Sequence, residues 1–219
     1  MRLQQGFTLV ELLVVISILC VLSALMFPVV AQAKGAAYGT SCIQQLRQIG
    51  IASEMYSADA DDRIPYAVAP NTKFVATFTP TQERGPLFQA AINLPSIVTV
   101  LAPYSAPKPL WRCSLDRVEP LFLAENYVLP PVLQWKTTYF ETIGASYDYD
   151  DVSAVLNGGQ IASPHADAIL FCDYPAVHGP IQAEGGGERN LLFADFHAKL
   201  DTHNMWGTRF LPPISGLWH

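Results

Sequence analysis

The chain has 219 residues, half of them apolar, and a formal net charge of −6 from 13 Lys and Arg against 19 Asp and Glu. That length suits one domain with its own core plus an appendage. An acidic chain without clustered Lys and Arg excludes nucleic acid as a partner, because phosphate binding needs cations that release condensed counterions. Cys20, Cys42, Cys113 and Cys172 form no CxxC pair, so neither a structural zinc nor a thioredoxin-like motif is present.

The run FTLVELLVVISILCVLSALMFPVV, residues 7–30, carries one charge, Glu11. As a helix rising about 1.5 Å per residue it covers the roughly 30 Å hydrocarbon core of a membrane. The amino terminus and Arg2 before it favour the cytoplasmic side, so the remainder is expected outside. A carboxylate inside a spanning helix costs roughly 2.5–3.5 kcal/mol on insertion scales and is normally kept for a partner. Cleavage after Gly6 would create one new cation at that depth, the α-amino group of Phe7, which staggered neighbouring chains could offer to Glu11. A secretory signal cut after Ala33, at Ala31-Gln32-Ala33, competes with this reading. The length of the apolar run and the charge near its start speak against it. In an oxidising compartment Cys42 and Cys113 can form a disulfide; three separate buried thiols, Cys172 included, are the alternative.

Gly6-Phe7-Thr8-Leu9-Val10-Glu11-Leu12 resembles the processing signature of type IV prepilins and type II secretion pseudopilins. The resemblance implies cleavage after Gly6 by a membrane prepilin peptidase, N-methylation of Phe7 and docking of subunits through Glu11. It implies as partners that peptidase, other pilin or pseudopilin subunits in a homo- or hetero-filament, and inner-membrane assembly machinery. The implied location is a single-pass inner-membrane precursor with an extracytoplasmic C-terminal domain, later drawn into an extracytoplasmic filament. Pro28 falls where many such proteins have a helix-bending proline.

After Lys34 and Gly35, residues Cys42, Leu46, Ile49, Ser53 and Tyr56 recur every three or four positions with Gln44, Gln45, Arg47 and Gln48 between them. This period predicts an amphipathic helix continuing to about Ser57. The alternative is two helices broken at Gly35 or Gly39, and Gly50 weakens the second segment. Asp59-Ala60-Asp61-Asp62-Arg63 and Pro65 end it. These carboxylates do not make an EF-hand, since Ile64 and Pro70 stand where Gly and Glu are required. A solvated turn is expected, and no metal site. Because some pseudopilins bind calcium through C-terminal loops, the resemblance leaves calcium open for a segment such as Asp148, Asp150 and Asp151, without naming ligands; no other cofactor is expected.

From Pro65 to Pro131 the prolines predict a loop-rich stretch, with Phe74–Phe78 alternating like a short strand and Ser96–Ala102 suited to a short helix. Ala168–Cys172 reads as a buried strand. Asn190–Ala194, the turn Asp195-Phe196 and His197–Leu200 read as strand, turn and strand. The expected fold is α+β and pilin-like: a long spine helix, its first half transmembrane, with a C-terminal antiparallel sheet packed on its second half. Residues 1–6 are then a leader, 7–30 the membrane half, 31–57 the extracytoplasmic half, and 58–219 the globular domain.

Cys42–Tyr56, Leu110-Trp111-Arg112-Cys113-Ser114-Leu115-Asp116 and the stretch from His178-Gly179 to Asp195 also resemble a group of prepilin-type proteins with a Cys-Pro-x-Asp stretch and a His to Asp-Gly motif. Ser114 stands where that group has proline, Phe196 where it has glycine after the aspartate, and His178 lies further from Asp195 than is usual. The resemblance gives His178 and Asp195 no defined role. His165, His178, His197, His203 and His219 occur with Asp173 and Asp195, but no GxSxG, HExxH or Walker loop accompanies them, and Gly185-Gly186-Gly187 lacks a following Lys-Ser or Lys-Thr. An enzyme is not expected; Asp195 and His197 read as polar groups ordering a hairpin. The aromatic tail with Trp206, Phe210 and Trp218 either packs back on the domain or offers a docking strip. The expected function is a structural filament subunit. The alternatives are an anchored extracytoplasmic binding domain that does not polymerise, or a secreted hydrolase released at Ala33.

Overall fold

Helix α1, Leu9–Asp59, runs helical through Gly35, Gly39 and Gly50 in a computed structural model that describes residues 7–76, 86–105, 108–116, 138–150, 168–173 and 188–201. Pro28 lies inside it and lacks the N–H that would bond four residues back. The chain divides into two units, residues 1–38 and 39–219. In the first, every residue from Phe7 to Ala37 is exposed, and the large apolar side chains of residues 7–30 point outward all round the helix. A helix apolar on every side belongs in a bundle or a membrane rather than in water. The segment is long and apolar enough to cross a bilayer.

In the second unit α1 buries Cys42, Leu46, Ile49, Gly50, Ser53 and Ser57, a stripe that repeats at helical spacing and faces the core. Ser53 is accommodated there because its hydroxyl donates to the Ile49 carbonyl at 2.9 Å. The helix ends as its acidic tail dictates. Asp62 N–H donates back to the Ser57 carbonyl at 3.0 Å, and Asp61 and Asp62 take φ of 53° and 56°. This is the six-to-one bond of a Schellman end, with Asp where Gly is commoner.

Beyond α1, Val68 bridges to Ser96: its N–H donates to the Pro95 carbonyl at 3.0 Å and its carbonyl accepts from Ile97 N–H at 2.9 Å. Helix α2, Pro70–Ala76, corrects the strand expected from Phe74. Pro70 opens it, where a missing N–H costs nothing, and Lys73 N–H donates to the Ala69 carbonyl to close the first turn. Residues 77 and 78 lie outside the described residues. Helix α3, Pro86–Ile92, follows; its last carbonyl accepts from Lys73 Nζ. Then come α4, Ile97–Val100, in the stretch expected to be helical, a 3-10 turn at Lys108–Trp111, and α5, Tyr139–Ile143.

Strands β1 (Tyr147–Tyr149), β2 (Ile169–Asp173), β3 (Arg189–Phe193) and β4 (Ala198–Asp201) form one antiparallel sheet in chain order. Tyr147 pairs with Asp173, Cys172 with Leu191, and Leu192 with Ala198, with a register shift between Ile169 and Phe171. The alternation of strand side chains divides the sheet into two buried faces. Tyr147, Tyr149, Phe171 and Leu192 join Cys42, Leu46 and Ile49 of α1 in the main core, while Ile169, Cys172, Leu191 and Phe193 form a second cluster. Burying each such apolar side chain contributes roughly 1.5–3 kcal/mol. The helix and sheet come into close contact at Gly50. A Cβ there would stand 2.9 Å from Leu192 Cδ1 and 3.1 Å from the Phe196 carbonyl oxygen. A long apolar N-terminal helix followed by a four-stranded antiparallel sheet is the α+β, pilin-like arrangement.

Candidate functional site

The start of α1 is a reciprocal cap. Thr8 N–H and Thr8 Oγ1 both donate to Glu11 Oε2, at 2.8 and 2.7 Å, and Glu11 N–H donates back to Thr8 Oγ1 at 3.3 Å. Leu12 N–H completes the turn on the Thr8 carbonyl at 3.2 Å. A helix leaves its first N–H groups without partners, and a Thr-x-x-Glu box satisfies them from both directions. Glu11 therefore has hydrogen-bond donors in its own chain, while its negative charge stays uncompensated by any cation among the described residues of this segment. Phe7, just before the cap, is 80% exposed. Gly6 lies outside the described residues. The Thr-x-x-Glu pattern ahead of an apolar run was the sequence signal for this role.

A second set of motif residues meets in the globular unit. Cys42 of α1 and Cys113 are bonded as a disulfide, with Cα atoms 5.0 Å apart across 71 positions of sequence. Three residues on, the buried Asp116 accepts from Tyr139 N–H at 3.0 Å, Phe140 N–H at 2.8 Å and Ser146 Oγ at 2.6 Å. Thr138 Oγ1 accepts from Glu141 N–H at 3.1 Å, and Gly144 ends α5 at φ 95°. Asp116 and Thr138 together occupy the free donors at the N-terminus of α5, which also favours a negative charge. Desolvation nevertheless pushes the Asp116 carboxyl above its ordinary range, against the bonds from Ser146, Phe140 and Tyr139 and the charge of Arg112. The Cys-x-x-Asp stretch is thus a structural joint: one end is a covalent link to α1, the other a helix cap.

The hairpin between β3 and β4 holds Asp195. Phe196 N–H donates to the Phe193 carbonyl and Phe193 N–H to the His197 carbonyl, both at 2.9 Å, and Phe196 takes φ 64°. A turn followed by a left-handed residue is the three-residue hairpin loop that glycine normally serves. Phe196 fills that position, at a cost of about 1–2 kcal/mol for a side chain in this region, and packs its ring against the main core. Asp195 Oδ1 accepts from His197 N–H at 3.2 Å and faces His197 Nδ1, while the His197 ring stacks on Phe193 with centroids 4.3 Å apart. Desolvation pulls the Asp195 carboxyl up, but the contacts from His197 outweigh it and hold the group below its ordinary value. Asp195 and His197 order this loop. His178, which the motif would set beside Asp195, lies outside the described residues, as do the aromatic tail from residue 202 and the triple glycine.

Among the described residues no three His, Cys, Asp or Glu side chains converge as a metal site requires. Asp148 accepts from the neighbouring Tyr149 N–H at 3.1 Å, and Asp151 lies outside the described residues.

No curated protein and no solved structure matches the chain. Residues 1–27, which contain Gly6, Phe7, the Thr8–Glu11 cap and most of the exposed apolar segment, match the family model described as the prokaryotic N-terminal methylation motif, and that match supports a type IV pilin-like protein.

Proposed function

We propose that the chain is a structural subunit of a type IV pilus-like or type II secretion pseudopilus filament, cut by prepilin peptidase after Gly6 and methylated on Phe7. The observation that carries this reading is the methylation-motif match over residues 1–27 on a helix whose apolar segment is exposed all round and whose one charge is Glu11. Held in the inner membrane, that segment is solvated by lipid; drawn into a filament, it must be buried by copies of itself or of related subunits. Cleavage places the Phe7 amine one turn from Glu11, and a neighbour's amine supplies the cation that Thr8 cannot. Fractionation of sheared surface filaments tests this. Wild-type chain is expected in the sheared fraction, and the Glu11→Ala chain is expected to be cleaved but retained in the membrane. Equal release of both would refute a docking role for Glu11.

One observation favours a second reading, an anchored domain that does not polymerise. The capping box gives the Glu11 carboxylate two hydrogen bonds from its own chain, so the helix start is satisfied without a neighbour. Under that reading the chain stays in the membrane fraction whether or not Glu11 is changed.

A further inference from the structure

Two charges bracket the apolar run of α1. Glu11 is the first and Lys34 the next, and the 22 residues between them, 12–33, carry none. At about 1.5 Å per residue that stretch measures about 33 Å, which fits the roughly 30 Å hydrocarbon core of a bilayer with a small tilt. Residues 7–30 are two positions longer and hold a carboxylate within them.

Lys34 does not stand alone at the outer end. Its Nζ lies 5.7 Å from the centroid of the Tyr38 ring, one turn further along the same helix, and both residues belong to the first unit. Lys and Tyr each join an apolar body to a polar tip, and both collect where lipid tails give way to headgroups. An ammonium there faces lipid phosphates, while the ring and the lysine stem cover the acyl boundary. Val30 is the last large aliphatic residue before the pair, and Ala31, Gln32 and Ala33 complete the uncharged run. Gln32 falls in its last turn, where a long polar side chain reaches the interface.

The inner end has a matching device. Glu11 Oε2 takes both Thr8 donors, so the polar groups of the first turn form one cluster. On insertion scales a single carboxylate outweighs Phe7, Leu9 and Val10 together, so exchanging residues 7–11 for 31–33 in the core is favourable. With the midpoint between residues 22 and 23, Glu11 and Lys34 both stand about 17 Å from the midplane, just beyond the hydrocarbon on opposite sides.

We propose that the Lys34–Tyr38 pair is an anchor for lipid headgroups, and that it sets the membrane span at residues 12–33 with Glu11 in the opposite headgroup layer. This register holds for a filament subunit and for an anchored domain alike, because both keep the segment in a bilayer. It gives Glu11 water and its own Thr8 while the chain waits in the membrane. For a subunit, the need for a neighbour's cation arises only when assembly draws the helix in among other copies.

Spin-label depth measurement on the full chain, in vesicles of phosphatidylethanolamine and phosphatidylglycerol, tests this. Cys20, the exposed free thiol, is replaced by Ser, while Cys42 and Cys113 stay bonded and Cys172 stays buried. A nitroxide is then attached at V14C or F27C, two exposed positions of the apolar run. The 12–33 register puts residue 27 about 7 Å and residue 14 about 13 Å from the midplane, and a 7–30 register exchanges the two values. Tilt scales both distances alike and leaves their order unchanged. The label at 27 is therefore expected deeper than the label at 14. The reverse order or equal depths would overturn the register, and access of an aqueous nickel chelate to both labels would overturn the span itself. In the K34A/Y38A chain the label at 27 should shift by at least about 3 Å, two residues of helical rise, and an unchanged depth would overturn the anchor. None of these results depends on polymerisation, which filament shearing reads separately.

Discussion

Replacing Asp116 by Ala removes the acceptor for two backbone N–H groups and one hydroxyl in a buried joint. A buried donor left without a partner costs about 1–3 kcal/mol, and loss of a cap costs about 1 kcal/mol. Relief of the desolvated carboxylate and water reaching the part-buried Phe140 N–H offset some of this. The net expectation is a loss of about 3 kcal/mol, a large share of the 5–15 kcal/mol typical of a domain. Cys172, fully buried, reports the opening: its alkylation in the full chain, followed by mass spectrometry, should quicken roughly 100-fold. A change below about threefold would refute the assignment of Asp116 as the joint's acceptor. The pH dependence has a definite sign. A carboxyl raised in the folded state contributes stability that is fully present below its unfolded value and lost as pH rises through the folded one. The advantage of the wild type over Asp116→Asn should therefore widen as pH falls from neutrality through the carboxylate range, and a narrowing would contradict the upward shift.

Gly50→Ala gains about 1 kcal/mol of helix propensity but meets Leu192 and the Phe196 carbonyl, and overpacking of this kind costs about 1–3 kcal/mol. The variant should be neutral to about 2 kcal/mol less stable by Cys172 alkylation; a gain of a full 1 kcal/mol would show that helix and sheet are not in close contact there. Phe196→Gly and Phe196→Ala both delete the ring, so their difference isolates the left-handed backbone, and Gly should be the more stable by about 1 kcal/mol. Equal stability would remove the strain argument. Asp195 is lowered in the folded state, so its contribution is present above its unfolded value and lost as pH falls through the folded one. Exchange protection of the 193–198 turn should decline on acidification in the wild type and stay flat in Asp195→Asn, and parallel declines would contradict the Asp195–His197 pairing.

Much of the fold was legible where one element repeats a simple pattern. Residues Cys42 to Ser57 recur at helical spacing, and the apolar runs at residues 168–172 and 190–194 mark β2 and β3, because periodicity and burial are local properties. Phe74 misled, since two aromatic positions in alternation outweighed Pro70, whose place at the opening of a helix was the better signal. Thr8–Glu11 and Thr138–Glu141 each carry the Thr-x-x-Glu pattern that marks a helix start, at α1 and α5. The partners of Asp116 were not legible at all: Tyr139 and Ser146 lie 23 and 30 positions further on, and nothing local fixes such a meeting. Phe196 shows the opposite case. The sequence argues against a left-handed backbone there, and packing of its ring with the His197–Asp195 contact holds it in place.

The central claim is that a new terminal amine is made at Phe7, one helical turn from a carboxylate held in an apolar segment. Intact mass and N-terminal peptide mapping of the chain purified from its native membrane test it directly. A mature chain beginning at N-methylated Phe7 is the predicted result. A chain still beginning at Met1, or one beginning at Lys34, would contradict it, the first leaving an anchored domain and the second a secreted product.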